Sequence, residues 1–262
     1  MAREWRRLLV PAERFGAGGD RLVLQAEESH YLRRVLRLRP GDQLALVDGA
    51  GRLWTARLEP GDAAGGDAVV VLEQPLAAPL HQQPQPSPEL VLAVAWPRLD
   101  ADVLLRMACE LGIDRLTPLQ AGRSVAAAGL KPERQAAIVR EAVEQCERLW
   151  QPQLDPEQPA LDWLGRAGRQ GEAELRLLAT TRRQGLPSLD GLLEEQRSKP
   201  VPERLVVAIG PEGGWTAEEE QRAEAAGWWP VSLGETILRS STAAVLAAGV
   251  MVAWRRRLGL SC

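Results

Sequence analysis

Histidine is nearly absent from this chain. His30 and His81 are the only two in 262 residues, which leaves too little material for a histidine metal centre or a Ser-His-Asp triad. Cysteine is almost as scarce. Cys109, Cys146 and Cys262 are odd in number, widely spaced and without any CxxC pair, so neither a disulfide framework nor a zinc site is expected, and no metal is expected. No apolar run precedes a cleavage site near the N-terminus, and no stretch of about 18 or more apolar residues occurs. Neither a secretory leader nor a membrane-spanning helix is expected, and the cytoplasm is the expected location. One Phe and one Tyr stand against nine Trp, a substitution of aromatic type that carries no functional message by itself.

What is present supports a packed core, with 45% hydrophobic and 26% charged residues. The length suits two modest domains or one large one. A net charge of -3 does not announce a nucleic-acid binder, but its distribution is uneven. Residues 1–40 hold nine Arg against five acids, a local excess of +4 that leaves -7 over the remainder. Such a basic patch suits a phosphate backbone, because bound arginine displaces condensed counterions. An ordinary solvated charged face is an equal reading of the same residues.

The segment 75–88, PLAAPLHQQPQPSP, has five prolines and no charge, and it reads as a semi-extended linker. It separates a domain at 1–74 from one at 89–262. Before it, short apolar runs at Leu8–Val10, Arg21–Leu24, Leu44–Val47, Leu53–Leu58 and Val69–Leu72 predict strands, with a turn at Asp48-Gly49-Ala50-Gly51. A helix over Glu28–Leu38 ends at Pro40-Gly41-Asp42. This pattern predicts a small β-barrel of a kind that commonly binds RNA.

After the linker the chain alternates. Strands are predicted at Leu90–Ala95, Arg115–Leu119, Leu175–Thr180, Leu205–Ile209 and Trp229–Leu233. Helices are predicted from a cap at Asp100 to Leu111, over Pro132–Leu149 and Leu189–Gln196, from the Thr216–Glu219 capping box to Gly227, and from about Thr242 to Arg257. Alternation at this spacing predicts an α/β domain, a parallel sheet with helices on both faces. The last helix carries twelve consecutive apolar residues, Ala243–Trp254, too few for a bilayer and too apolar for water, so it is expected against a neighbour. Arg255, Arg256 and Arg257 would complement its negative end.

The densest signal follows an apolar strand: Ile209-Gly210-Pro211-Glu212-Gly213-Gly214. Its glycines let the backbone approach a ligand closely, although a plain strand-to-helix turn uses the same residues. It is neither GxxxxGK[ST] nor GxGxxG, and its acid would repel a phosphate. About twenty residues on comes Leu233-Gly234-Glu235-Thr236-Ile237-Leu238-Arg239-Ser240-Ser241-Thr242-Ala243. Arg239, just ahead of a helix N-terminus, occupies an electrostatically unfavourable place, which suggests a bound anion or carboxylate nearby.

IGPEGG followed by LGxxILRxxTA resembles the C-terminal signature of the SPOUT superfamily of methyltransferases. More of the chain resembles the RsmE-type 16S rRNA uracil-N3 methyltransferases. Arg7-Leu8-Leu9-Val10 and the run His30–Asp42 are similar to that family's PUA-like N-terminal domain. Glu110-Leu111-Gly112, Thr117-Pro118-Leu119 with Arg123, and Glu144-Gln145-Cys146-Glu147-Arg148 with Pro152 are similar to its later blocks. Members usually carry Glu where Ser241 stands, a basic residue near Pro97, and Lys at Arg106 or Met107.

The resemblance implies a trefoil knot within about 205–257 and a homodimer whose sites are completed by the partner. It also implies S-adenosylmethionine (SAM) as cofactor and 16S rRNA of the small ribosomal subunit as partner, with methylation at N3 of a uridine. The expected cofactor contacts are Thr180, Ile209, Gly210, Pro211, Glu212, Gly213, Leu233, Gly234, Ile237, Leu238 and Thr242. Arg239 and Glu212 are the expected catalytic residues, Glu212 accepting a proton or touching the cofactor and Arg239 holding uracil oxygens or a phosphate. Arg7, Arg33, Arg34, Arg37 and Arg123 are expected on RNA. Two other readings stay open: an inactive rRNA-binding assembly factor, favoured by Ser241, and a SPOUT ribose 2′-O-methyltransferase, disfavoured by the N-terminal domain and the Glu144–Arg148 block.

Overall fold

The computed structural model describes residues 5–15, 19–60, 68–125, 129–166 and 173–259. The chain divides into two compact units, Met1–Gln85 with Arg140–Gln151, and Pro86–Val139 with Pro152–Cys262.

The first unit runs β1 (Arg7–Leu9), β2 (Arg21–Val23), α1 (Ala26–His30), a π-helical turn (Tyr31–Val35), β3 (Gln43–Val47), β4 (Arg52–Leu58), β5 (Val69–Leu72) and β6 (His81–Gln82). Its strands pair in the order β1-β3-β4-β5-β2, with β6 on β4. Among the described residues no ladder joins β1 to β2. Leu8, Leu24, Leu44, Leu46, Trp54, Leu58 and Val70 meet in one core. Phe15 stacks on Trp54 with ring centroids 4.9 Å apart. The expected helix at 28–38 is shorter and widened. Gln25 and Glu28 form a capping box that starts α1, and Arg37 takes a left-handed φ of 56° where it ends. Within the proline-rich stretch 75–88, His81 and Gln82 pair with Leu53 and Arg52.

The second unit runs β7 (Glu89–Ala95), α2 (Ala101–Leu111), β8 (Arg115–Gln120), α3 (Pro132–Gln145), β9 (Gln153–Leu154), β10 (Gln158–Pro159), α4 (Ala160–Leu164), β11 (Glu174–Ala179), α5 (Leu189–Gln196), β12 (Arg204–Ile209), α6 (Ala217–Ala225), β13 (Trp229–Val231) and α7 (Ser240–Arg257). The boundary between the units falls within α3. The sheet is parallel throughout, in the order β10-β8-β7-β12-β11-β13 with β9 on β8. Val91, Ala93, Ala95, Val206 and Ala208 face Leu164, Ala223 and Trp228 on one side. Their alternates face the other side, where α7 packs on β7 and β12 between α2 and α5.

One local expectation fails: Asp100 precedes α2 in a left-handed conformation, φ 65°, and its side chain caps nothing. Arg255, Arg256 and Arg257 stand in the last turn of α7 as expected, and Arg255 has a further task there. Its guanidinium is buried and donates to Asp114, to Pro88 O and to Gly112 O, fastening α7 to the turn after α2 and to the start of β7. Gly112 permits that turn with φ 111° and lies against Val252. Among the described residues no helix is long and apolar enough to cross a membrane.

Inside the first unit, Glu144 accepts a hydrogen bond from Leu9 N–H at 2.9 Å. Burial pushes its carboxyl up to about 7; the Leu9 bond and Arg140 oppose the rise, and Glu141 and Glu28 add to it. Because the folded value is raised, the protonated form is the one that folding favours. The stabilisation is full below the unfolded carboxylate value and is lost as pH rises through about 7. Glu144→Gln keeps an acceptor for Leu9 and removes the titration. In denaturant melts the variant should gain about 1–3 kcal/mol over the wild type at about pH 8 and nothing at about pH 4. Parallel stability curves for the two proteins would contradict this.

Candidate active site

Strands β11 and β12 end side by side, Ala179 opposite Ile209, and β13 ends with Val231 opposite Ala179. Three loops therefore leave the same edge of the sheet, at 180–188, 210–216 and 232–239. The carboxyl edge of a parallel sheet is where such folds hold ligands. The loops enclose a cleft of about 770 Å³. This volume lies within the usual range for a small-molecule site.

The middle loop is held by what surrounds it. The Trp215 indole N–H donates to Ala179 O at 3.0 Å, which lays the ring under Gly210. A Cβ on Gly210 would stand 3.1 Å from that ring, and one on Gly213 would stand 3.0 Å from the Arg123 side chain. Gly214 closes a turn onto Pro211 O at 2.8 Å with φ 69°. Arg123 donates to the carbonyls of Gly213 and Trp215, each at 3.0 Å. Ser240, the first residue of α7, donates to Gly210 O at 2.9 Å and so joins the middle and last loops. The first and last loops are joined by Ser232 N–H to Pro187 O and Leu189 N–H to Ser232 O, both 2.9 Å.

Of the residues singled out from sequence, Thr180, Ile209, Gly210, Pro211, Glu212, Gly213, Leu233, Gly234, Ile237 and Leu238 all line this one cleft. Thr242 does not. On a helix, residues three apart share a face, so Ser240 and Ala243 look into the cleft while Thr242 faces solvent. Arg239 is exposed at the cap position of α7 and makes no capping bond, beside the cleft rather than in its wall. Glu212 accepts from Arg98 N–H at 2.8 Å, which ties the loop after β7 to the glycine turn. Arg123 also lines the cleft, with its guanidinium engaged by loop carbonyls. In the first unit, Arg7 is held by Glu147 through both its carboxylate, at 2.7 Å, and its carbonyl, at 2.6 Å. Arg34 and Arg37 are exposed, and Arg33 is half-buried.

Sequence reading missed Trp215, Glu220, Arg182, Arg183 and Ser240. Glu220 lies on the cleft wall and accepts from the Thr180 hydroxyl. It sits one residue beyond the capping acid in a run of three glutamates, so its pattern looked like a favourable first turn and nothing more. Trp215 follows the glycines directly, which was the available signal.

The cleft suits SAM by its own chemistry. It combines apolar surface from Ile209, Leu233, Ile237 and Leu238 with glycine backbone at Gly210, Gly213 and Gly234. The backbone N–H groups of Thr236, Ile237 and Leu238 find no acceptor among the described residues. An adenine edge and an amino-acid tail require such donors beside apolar walls.

Comparison with known proteins agrees with this reading. A family model described as an RNA methyltransferase domain matches residues 83–252, and one described as an RNA methyltransferase PUA domain matches residues 24–63. The ribosomal RNA small subunit methyltransferase E of Synechocystis sp. is 37% identical over 232 residues, covering 86% of this chain and 71% of that protein. Its counterpart in Mycobacterium tuberculosis is 30% identical over 237 residues, covering 87% and 85%. The crystal structure of the Neisseria gonorrhoeae enzyme of that name, bound to S-adenosyl methionine, superposes with a TM-score of 0.76 at 28% identity, over 95% of this chain and 97% of that one. A methyltransferase of Legionella pneumophila in complex with SAM gives 0.76 at 26% identity, over 95% and 98%. This chain belongs to the ribosomal RNA small subunit methyltransferase E family.

Proposed function

We propose that this protein transfers a methyl group from SAM to N3 of a uridine in 16S rRNA. One observation carries the reading: the glycine turn at 209–214 and the 233–238 stretch, separated in sequence by α6 and β13, line a single cleft. The bound cofactor of the Neisseria relative, over nearly the full chain, supports SAM as the occupant. We further propose a homodimer acting in the cytoplasm, and a trefoil knot within about 205–257. The knot reading draws on the return of the chain from β13 at the sheet edge to α7 beneath β7 and β12, with Ser240 bonded to Gly210.

SAM, when bound, supplies a methyl group activated on a sulfonium sulfur. The chain's task is alignment, desolvation and management of one proton. N3 of uracil lies between two carbonyls on the pairing edge, so the base must enter unpaired and its N3 proton must leave. Glu212 is the proposed acceptor. Arg98 N–H fixes one carboxylate oxygen, and the other has no partner among the described residues. Arg239, exposed beside the cleft, is the proposed partner of the uracil oxygens as charge develops on them. The exposed Arg34 and Arg37, with Arg33, form the proposed phosphate contact of the first unit.

The inactive-factor reading keeps one observation in its favour, since the first turn of α7 carries no acid. Titration calorimetry with SAM and methyl transfer to 16S rRNA separate the readings. The proposal expects binding together with loss of one N3-methyluridine from rRNA of a deletion strain; an intact modification in that strain contradicts it. Arg239→Ala should lower turnover by at least about a hundredfold while SAM affinity stays within about twofold, and unchanged turnover removes Arg239 from the mechanism. Charge reversal at Arg34 and Arg37 should weaken rRNA binding and reduce its salt slope by about two. An unchanged slope would show that these arginines touch no phosphate.

A further inference from the structure

Six charged side chains line the cleft: Arg123, Arg182, Arg183, Glu212, Glu220 and Glu235. Four of them have internal partners. Arg123 is bound by the carbonyls of Gly213 and Trp215, and Glu212 by Arg98 N–H. Glu220 is bound by the Thr180 hydroxyl. Arg183 is bound by Glu224 at 2.5 Å, with Glu220 at 3.9 Å. Among the described residues, Arg182 is the one cation of the cleft wall that no carboxylate or carbonyl engages.

Its backbone is also unusual. Arg182 has φ 62°, in the left-handed region that disfavours any residue with a Cβ. Three residues later Gly185 takes φ 72°, with nothing within 4 Å of where its Cβ would be. The loop between β11 and α5 thus uses two left-handed positions, and only one of them is glycine. Backbone strain of this kind, held at a non-glycine residue in a cleft wall, is characteristic of ligand-gripping positions.

We propose that Arg182 binds a backbone phosphate of the RNA next to the target nucleotide, at the mouth of the cleft. The inference rests on the reading of this cleft as the methyl-transfer site. An exposed, unpaired guanidinium matches a phosphate bidentately, and each such contact releases condensed counterions. Glu235, the other uncommitted charge, stands on the 232–239 loop and disfavours a phosphate there. The two charges together orient the strand, with its phosphate on the 180–188 loop. Arg182 is accordingly a substrate-binding residue whose effect belongs in KM rather than in kcat.

The test compares the full-length wild type with Arg182→Ala, Arg182→Lys and Arg182→Gly, using 16S rRNA or small subunits as substrate. Arg182→Ala should raise KM for RNA about tenfold and leave kcat within about twofold. It should also lower the salt slope of KM by about one. SAM affinity by calorimetry should not change. Lysine should restore part of the loss. Arg182→Gly should share the KM defect of alanine although it relieves the backbone, which separates the lost charge from any disturbance of the turn. Unchanged KM and salt slope in the alanine variant would overturn the proposal. So would weakened SAM binding, because the anion would then be the carboxylate of the cofactor. If the wild type itself neither binds SAM nor methylates RNA, it is the underlying assignment of the cleft that has failed.

Discussion

The carboxylate of Glu219 is buried, and both its oxygens accept backbone N–H groups. One oxygen closes the capping box at Thr216 at 2.7 Å; the other takes Gly122 N–H, also at 2.7 Å, from the turn that follows β8. Arg123 in that turn reaches back to the carbonyls of Gly213 and Trp215. A loop with three glycines in five residues would otherwise carry a large conformational entropy, and its exposed backbone would have no fixed geometry to offer. Glu219 and Arg123 hold it from a neighbouring strand connection. Gly122 belongs to the same arrangement, since a Cβ there would come within 3.0 Å of the Thr216 methyl.

With that clasp in place, the chemistry of the cleft follows from which groups remain uncommitted. Most ionic side chains around it have internal partners, so its wall presents backbone and apolar surface more than charge. That suits a cofactor recognised through its adenine edge and held for an in-line transfer, where alignment contributes more than any single strong contact. The basic residues gathered in the first 40 positions lie in the other unit, which matches the PUA domain of RNA methyltransferases. The cleft and the basic residues of the first 40 positions thus lie in different units of one chain.

Much of this was legible from local signals. The Thr216–Glu219 capping box starts α6, Leu189–Gln196 is α5 residue for residue, and the glycine turn lies at the end of β12 as its position after an apolar strand required. What escaped depended on distant partners. Nothing near Arg255 in sequence announces Asp114 or Gly112, so its second task, as a buried fastening beside its place at the helix end, could not be read. Asp100 had the right identity for a cap but takes a left-handed backbone that withdraws its side chain from the role. The short α4 and the two-residue strands β9 and β10 are below the length at which hydrophobic periodicity can be read. Glu212 was chosen for its chemistry and Arg123 from the family resemblance, and their hydrogen bonds show a structural task that sequence could not reveal. Glu220 and Arg182 became visible only when three separate loops were brought to one edge of the sheet.

A crystal structure of this protein grown with SAM would show where the methyl donor sits. The cofactor should lie in the cleft between the 209–214 turn and the 233–238 loop, with its sulfonium methyl facing open solvent from which a base can approach. Density for the cofactor elsewhere, or a cleft filled by the protein's own side chains while SAM remains unbound at saturating concentration, would contradict it.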